Sequence, residues 1–351
     1  MELVTEVLIR LPVKRLVRCR CVCKAWCSVI SSPDFVSMHF SRLHNNEDQP
    51  LLLTLYSTGR KTLCTLRSAL TYKRVIGKDY EIPIANHLED LKNFYMYKIC
   101  YANGLVLMTK TFTSETLLWN PLSGKTLELP PTWSDIDRSV FGLGFDTTRN
   151  DYKVVVIGKY PGVLVQIYEL RAPFWRTITN CNCEESIIHK VDFNGLLMEG
   201  TIYWIAQDSE DISSHIVLFD VNNEVFDYIM LPKEVGEYCE HKYPVMYREK
   251  LGLLHIFDRH LCSLWVTEKD QAPRAWVKLF EVNLAIDDHL YYRHHFHVLS
   301  FNENGQLIFA TTKGRGVKLY DFESQEMKQL LKTFPYGMMH SIPYKESAVL
   351  T

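Results

Sequence analysis

The chain has 351 residues, 47% hydrophobic and 12% aromatic, which is enough to bury a sizeable core in one large domain or two smaller ones and excludes a disordered chain. A formal net charge of -2 excludes a global electrostatic attraction to nucleic acid or to an anionic membrane, so any charge signal has to be local. No apolar run approaches the roughly 18 to 20 residues of a membrane span, and Glu2 and Glu6 stand where a secretory signal needs basic residues, so the expected compartment is cytoplasm or nucleus.

Leu3, Val4, Val7, Leu8 and Leu11 recur at helical spacing, which predicts a short helix over residues 3–11 that Pro12 ends. Pro12 can open the next turn, so a second short helix is expected over Val13 to Val17 and a third from about Cys19 to Ile30, stopped by Ser31, Ser32 and Pro33. A fourth amphipathic turn follows with Phe35, Met38 and Phe40.

Cys19, Cys21, Cys23 and Cys27 lack a second CxxC pair or a histidine in ligand register, so a metal site is the weaker reading. On a helix, Cys19, Cys23 and Cys27 share one face, the pattern of small buried core residues. The other cysteines, Cys181-x-Cys183 included, form no regular disulfide framework, and reduced thiols are expected.

Three helices in about 30 residues cannot bury their apolar faces alone, because domains below about 40 residues rarely stabilise without help, so this module is expected to dock on a partner. Arg10, Lys14, Arg15, Arg18, Arg20 and Lys24 fall between Glu6 and Asp34 with no acidic residue among them. They form either a solvated helical face or a surface for an acidic partner. A DNA-reading role fits a cysteine-rich third helix carrying a large Trp poorly.

Residues 41–50, SRLHNNEDQP, are polar and aperiodic and are expected to be a linker. From Leu51 the character changes to short β-rich runs separated by turn clusters, with a helical turn expected only near Leu88 to Phe94. A repeat runs through this region. An aromatic residue, in most copies followed by Asn, Asp or Glu, precedes a turn and a second apolar residue: Trp119-Asn120 with Leu127, Tyr168-Glu169 with Trp175, Phe219-Asp220 with Phe226, Trp265 with Trp276, and Tyr320-Asp321 with Met327.

The first aromatics lie 49, 51, 46 and 55 residues apart, the period of kelch-type propeller blades. An apolar strand precedes each one, so a unit is a four-stranded blade, with its aromatics mostly in the blade core. About 300 residues at about 50 per blade give about six blades, with Leu51 to Tyr56 and Leu63 to Leu66 as a further hairpin and His340 to Leu350 as a closing strand. The alternative is a generic β sandwich with chance spacing.

LIRLPVKRLVRCRCVCKAWCSVISSPDF resembles the F-box, and LLWNPLSGKTLELP, FGLGFDTTRNDYKVVVIG, VQIYELRAPFWRTI and GTIYWIAQDSEDISSHIVLFDVNNEVFDYIMLP resemble the associated interaction domain of plant F-box proteins, including the S-locus type. The resemblance implies an α+β multidomain chain: a three-helix F-box at 1–40, a linker at 41–50, and an all-β kelch-like propeller of about six blades at 51–351. It further implies a non-catalytic substrate receptor of a Skp-cullin-F-box ubiquitin ligase. The F-box docks a Skp-type adaptor and through it a cullin, and the β domain binds the protein to be ubiquitinated, with no cofactor and no nucleic-acid or membrane partner.

Carried over, the adaptor-facing positions are Leu8, Leu11, Pro12, Val13, Leu16, Val22, Cys23 and Trp26, some of which have to be internal core instead. Family members usually begin several residues earlier with a Leu-Pro pair and an acidic residue. The expectation is an F-box short at its front, with docking weakened by an apolar anchor of about 1.5–3 kcal/mol, or else a gene model that starts late.

Propellers also host enzymes. His289, His294, His295 and His297 with Asp287 and Asp288 are the candidate metal cluster, but their packing into one loop and strand favours a solvated surface. Gly142-Leu143-Gly144 is followed by no helix and is not a dinucleotide loop. Partner contacts are expected on loops near Thr132 to Arg138, Cys181 to Ile187, Gln207 to Ser214, Val235 to Tyr243 and Asp287 to His295, several of them acid-rich.

Overall fold

A computed structural model describes residues 2–32, 34–36, 38–39, 42, 51–57, 62–68, 72–74, 80–81, 97–110, 115–132, 139–158, 163–178, 195–206, 215–236, 241–257, 261–268, 275–284, 296–311, 316–332 and 339–344. The linker expected at 41–50, apart from residue 42, and the turn expected near Leu88 to Phe94 lie outside the described residues.

Three helices open the chain: α1 (Glu2–Leu8), α2 (Val13–Cys19) and α3 (Lys24–Ile30). Six four-stranded antiparallel sheets follow. Blade 1 takes β1 (Leu51–Ser57), β2 (Thr62–Ser68) and β3 (Tyr80–Glu81). Blade 2 is β4 (Tyr97–Ala102), β5 (Leu105–Lys110), β6 (Thr116–Trp119) and β7 (Thr126–Glu128). Blade 3 is β8 (Val140–Asp146), β9 (Asp151–Gly158), β10 (Leu164–Glu169) and β11 (Trp175–Ile178). Blade 4 is β12 (Leu196–Met198), β13 (Thr201–Ala206), β14 (His215–Asp220) and β15 (Val225–Met230). Blade 5 is β16 (His241–Tyr247), β17 (Lys250–Phe257), β18 (Leu261–Thr267) and β19 (Trp276–Asn283), and blade 6 is β20 (Phe296–Phe301), β21 (Leu307–Thr311), β22 (Gly316–Tyr320) and β23 (Met327–Leu331). The last strand, β24 (Met339–Tyr344), returns to pair with β1 from Leu51↔Tyr344 to Tyr56↔Met339 and completes blade 1. This is the closing strand read from the sequence, and it turns an open array into a six-bladed ring.

Six apolar clusters fill the gaps between successive blades in cyclic order. One example joins Val155, Ile157 and Ile167 of blade 3 to Trp204, Val217 and Phe219 of blade 4. The ring closes through Leu52 and Tyr56 of blade 1 against Ile308, Val317 and Leu319 of blade 6. The Gly142-Leu143-Gly144 stretch belongs to this packing: it runs inside β8, and a Cβ on Gly142 would sit 2.5 Å from the Trp204 ring. Only a hydrogen at that position lets blade 4 approach blade 3 so closely.

The sequence repeat now has a physical cause. The aromatics Trp119, Phe219 and Tyr320 are buried, and the Asn or Asp after each one caps the following turn. Asn120 Oδ1 accepts from the Leu122 and Ser123 N–H groups, Asp220 Oδ1 from Asn222 and Asn223, and Asp321 Oδ1 from Glu323 and Ser324. Tyr168 lies opposite Trp175 and Phe219 opposite Phe226, as the repeat predicts, with ring centroids 5.3 and 4.7 Å apart. Trp119 faces Thr126 rather than Leu127, and Trp265 and Trp276 are not partners, which corrects those two copies of the repeat. A register shift after Leu264 places Lys278 opposite Trp265, its ammonium 5.1 Å from the ring centroid. Trp276 instead donates through Nε1 to Met230 O at 2.8 Å and ties blade 5 to blade 4.

The junction of blades 3 and 4 also holds a charge network that periodicity does not reveal. Lys153 on β9 has no exposed side-chain surface; its Nζ lies 2.6 Å from Asp146 Oδ2 and 2.7 Å from Glu224 Oε1, and donates to Val221 O at 2.8 Å. Arg176 closes the network on Glu169 and Glu224, and Arg149 on Glu169. Burial raises the Asp146 and Glu224 carboxyls, but hydrogen bonds outweigh it, from Lys153 and the backbone on Asp146 and from Arg176 and Lys153 on Glu224, and hold both below the ordinary range.

Candidate functional site

The N-terminal helices are the first candidate. Pro12 forces the chain ahead of it out of the α region, so α1 stops at Leu8 and winds down through Arg10 N–H to Val7 O and Leu11 N–H to Leu8 O, earlier than the helix expected over 3–11. Pro12 has φ -58 and ψ 149 and opens α2, as expected. The third helix starts five residues later than the expected Cys19. After α2 the backbone unwinds through Cys21 N–H to Arg18 O and Val22 N–H to Cys19 O, and Cys23 is extended. Cys23 is the N-cap of α3, its Sγ accepting from Trp26 N–H at 3.5 Å.

That late start undoes the one-face reading of the cysteines. Cys23 is exposed, and Cys19 and Cys27 are only half-buried. The turn also lifts Val22 into solvent at 63% exposure. Helical backbone resumes at 34–36 and 38–39, where the fourth turn is expected, led by Ser32, whose Oγ accepts from Phe35 N–H at 3.3 Å. Phe40 lies outside the described residues.

The core of this module is Leu8, Leu16, Ile30 and Phe35, with Val4, Ile9, Leu11, Cys19, Trp26, Val29 and Val36 packed around it. Its composition divides the eight carried-over positions. Leu8, Val13 and Leu16 are interior, Leu8 and Leu16 packing in one cluster with Ile30 and Phe35. Leu11 and Trp26 are half-buried, whereas Pro12, Val22 and Cys23 are exposed. Two further exposed apolar positions on α1, Leu3 at 82% and Val7 at 61%, share a face at i, i+4 spacing, and Met38 is exposed on the last turn. The sequence reading assigned none of these three to docking, although helical spacing could have flagged Leu3 and Val7.

Of the six basic residues, Arg10 lies 3.8 Å from Glu6 with both side chains solvated, an ion pair of little worth. Arg15, Arg18 and Lys24 are exposed, while Arg20 is half-buried.

His39 is a further residue that sequence reasoning missed. Its ring is buried and stacked on Phe35 at 5.9 Å, and Nε2 bonds to Leu11 O at 2.7 Å, pinning the end of α1 to the last turn. Burial lowers its pKa below the ordinary 6.5 and the Arg42 charge adds to this, while the bond to Leu11 opposes it. An unfolded chain therefore binds more protons than the folded one between the lowered value and 6.5. Stability from His39 is complete above pH 6.5 and is lost as pH falls through the folded value. The expected result is a fall in the thermal midpoint of the helical module between pH 7.5 and 5.5 that His39→Phe flattens, read by far-UV circular dichroism; an identical slope in the variant counts against this role.

The propeller offers the second candidate. In blades 2 to 6 the first-to-second and third-to-fourth turns fall at one rim, and the remaining connections at the other. The first rim carries tight turns, with positive φ at Asn103 and Gly104, at Glu199 and Gly200, and at Arg248 and Glu249. All five loops expected to contact partners join strand ends at the opposite rim. Of those stretches, 133–138, 181–187, 207–214, 237–240 and 287–295 lie outside the described residues, as do His289, His294, His295, Asp287 and Asp288 of the histidine cluster. The His297 backbone lies in β20, opposite Ala310.

Two family models match this chain: the F-box domain over residues 1–38, and the F-box associated beta propeller domain over residues 51–334. Three Arabidopsis thaliana proteins are similar to it. A putative F-box protein is 25% identical over 298 residues, covering 81% of this chain and 78% of its own. An F-box protein is 27% identical, with 88% and 68% covered, and an F-box/kelch-repeat protein is 25% identical, with 80% and 79% covered. Among solved structures, a chain of a nidogen/laminin complex overlays with a TM-score of 0.45 at 8% identity, covering 83% of this chain and 98% of that one.

Proposed function

Because the chain belongs to the F-box proteins that carry an F-box associated beta-propeller domain, we propose that it is a substrate-recognition subunit of a Skp-cullin-F-box ubiquitin ligase. In this reading residues 1–40 dock a Skp-type adaptor and through it a cullin, 41–50 connect, and the domain from residue 51 presents the protein to be ubiquitinated. The role is non-catalytic: the chain holds two proteins near each other, and the transfer chemistry belongs to other subunits. The observation that carries it is the order of the two modules in one chain, a partner-seeking helical module ahead of a rigid ring. No helix among the described residues is long and apolar enough to cross a membrane, which is compatible with a place in the cytoplasm or nucleus.

The docking face comprises the exposed Pro12, Val22 and Cys23 with the half-buried edges of Leu11 and Trp26, extended by Leu3, Val7 and Met38. Leu8, Val13 and Leu16 support it from beneath. The substrate face is the rim opposite the tight turns, where connections of varied length can change without disturbing the blades.

The test is co-purification and titration of the full chain with a Skp-type adaptor. Burying one large apolar side chain is worth about 1.5–3 kcal/mol, so Val22→Asp is expected to weaken adaptor binding by at least about tenfold. Its thermal midpoint is expected to stay nearly unchanged, because Val22 is 63% exposed in the free chain. Wild-type binding with an unaffected Val22→Asp variant overturns the docking face; no binding by the wild type overturns the function.

A further inference from the structure

The face that blade 2 turns toward blade 3 is apolar for most of its height and ends in a polar row. Cys100, Leu107 and Leu118 of blade 2 pack there against Phe141, Leu143 and Val154 of blade 3. Side chains alternate along a strand, so Lys98, Thr109 and Thr116, each two residues from one of those three, lie on the same face one step nearer the rim opposite the tight turns. In register they form a single row, with Lys98 opposite Thr109 and Thr109 opposite Thr116. Residues directly opposite across antiparallel strands have Cβ atoms about 4.5–5.5 Å apart.

The row is enclosed: Lys98, Thr109 and Thr116 are 5%, 0% and 2% exposed. The Lys98 ammonium reaches across to blade 3 and donates to Ser139 O at 2.5 Å. Among the described residues, Thr109 Oγ1 and Thr116 Oγ1 meet no hydrogen-bond partner. A buried hydroxyl left so is costly, and in folded proteins such groups are met by ordered water or by an ion. Here the groups are rich in donors, because an ammonium carries three N–H bonds and each hydroxyl one O–H. Strands β4, β5 and β6 contain no acidic residue. The row Ser341, Thr54 and Thr65 of blade 1 differs in both respects: it is neutral, and Thr54 Oγ1 already lies 2.8 Å from Ser341 Oγ and 3.2 Å from Tyr72 OH.

We infer that Lys98, Thr109 and Thr116 bind a small monovalent anion of the chloride class between blades 2 and 3. Enclosure selects the class, since a carboxylate or phosphate carried on a larger molecule cannot reach groups this deeply buried, whereas a single ion is taken up as the blades pack. The anion accepts from the ammonium and from both hydroxyls, sets a negative charge beside a buried positive one, and ties blade 2 to blade 3 beneath the rim given to substrates. The site needs neither adaptor nor substrate, so it stands or falls apart from the proposed function.

The experiment soaks crystals of the full chain in bromide and locates the ion by anomalous diffraction. In solution it follows the thermal midpoint of the full chain as chloride replaces gluconate at constant ionic strength. Expected are a bromide peak in contact with Lys98 Nζ, Thr109 Oγ1 and Thr116 Oγ1, and a midpoint that rises by about 3–5 °C as chloride saturates the site. The double variant Thr109→Val, Thr116→Val, which keeps the side-chain shapes, is expected to melt at one temperature with and without chloride. A water at the site with no anomalous signal, bromide on exposed residues alone as an adventitious ion only, or a chloride response that persists in the double variant overturns the inference. Should the double variant fail to fold, the bromide map of the wild-type chain decides.

Discussion

Replacing Lys153 with Ala is expected to destabilise the propeller by about 3–5 kcal/mol, the range for breaking a buried ion pair from one side. Asp146 has no exposed side-chain surface, and its Oδ2 has the Lys153 ammonium at 2.6 Å. Removing the ammonium leaves a carboxylate that neither water nor another cation in that position can neutralise. The thermal midpoint is expected to fall by roughly 6–10 °C in a domain of this size. The penalty belongs to the uncompensated charge more than to the lost bond, so the double variant Lys153→Met, Asp146→Leu is expected to recover much of it. A single variant within about 1 kcal/mol of wild type in denaturant titration would mean the network does not couple blades 3 and 4.

The same network sets an acid limit. Asp146 and Glu224 have folded pKa values below their unfolded ones, so the stability they contribute is complete above the ordinary carboxylate range, and it is lost as pH falls through the folded values. The Lys153→Ala chain is therefore expected to show a flatter stability profile than wild type below about pH 4.

Ending the chain at residue 338 is expected to have an effect of comparable size by a different route. β24 supplies the innermost strand of blade 1, and pairs with six residues of β1. Without it, the apolar run Leu51 to Tyr56 becomes an open sheet edge, a template for pairing with other chains. Tyr344 and Ile342 also leave the cluster between blades 1 and 2, and Thr54 Oγ1 loses its 2.8 Å hydrogen bond to Ser341. Two apolar side chains at about 1.5–3 kcal/mol each, with a ladder of hydrogen bonds, put the loss above about 5 kcal/mol. Size-exclusion chromatography with light scattering is expected to find aggregates where the full chain is monomeric. A monomeric truncated chain with an unchanged thermal midpoint would show that the ring does not depend on this strand.

Both effects arise from contacts distant in sequence, and that distance separates what could be read directly from what could not. The aromatic and Asn or Asp pairs announced the blades, because the aromatic fills an inter-blade gap while the next residue caps its own turn, two local demands that recur in each unit. Alternation and spacing likewise located the closing strand and the number of blades, and the helices apart from the end of the first and the start of the third. The Trp265–Trp276 pairing fails because the hairpin sets Trp276 opposite Thr267, and spacing carries no sign of where the turn falls. Nothing local marks Lys153, which reads as an ordinary lysine in a strand until Val221 and Glu224, about 70 residues on, fold over it. His39 is similarly inconspicuous without the Leu11 carbonyl it reaches across 28 residues.

The sequence by itself determined a short helical module followed by a closed ring of about six blades, because periodicity and turn chemistry are local and repeated. Only the tertiary structure decided which side chains of that module face outward: Leu8, Val13 and Leu16 turn inward, Leu8 and Leu16 against Ile30 and Phe35, and the extended Cys23 lifts Val22 and its own thiol into solvent. The pattern of apolar residues states that a face exists. Whether that face meets its own core or a partner depends on how the helices cross, and that is fixed by packing between residues far apart in the chain.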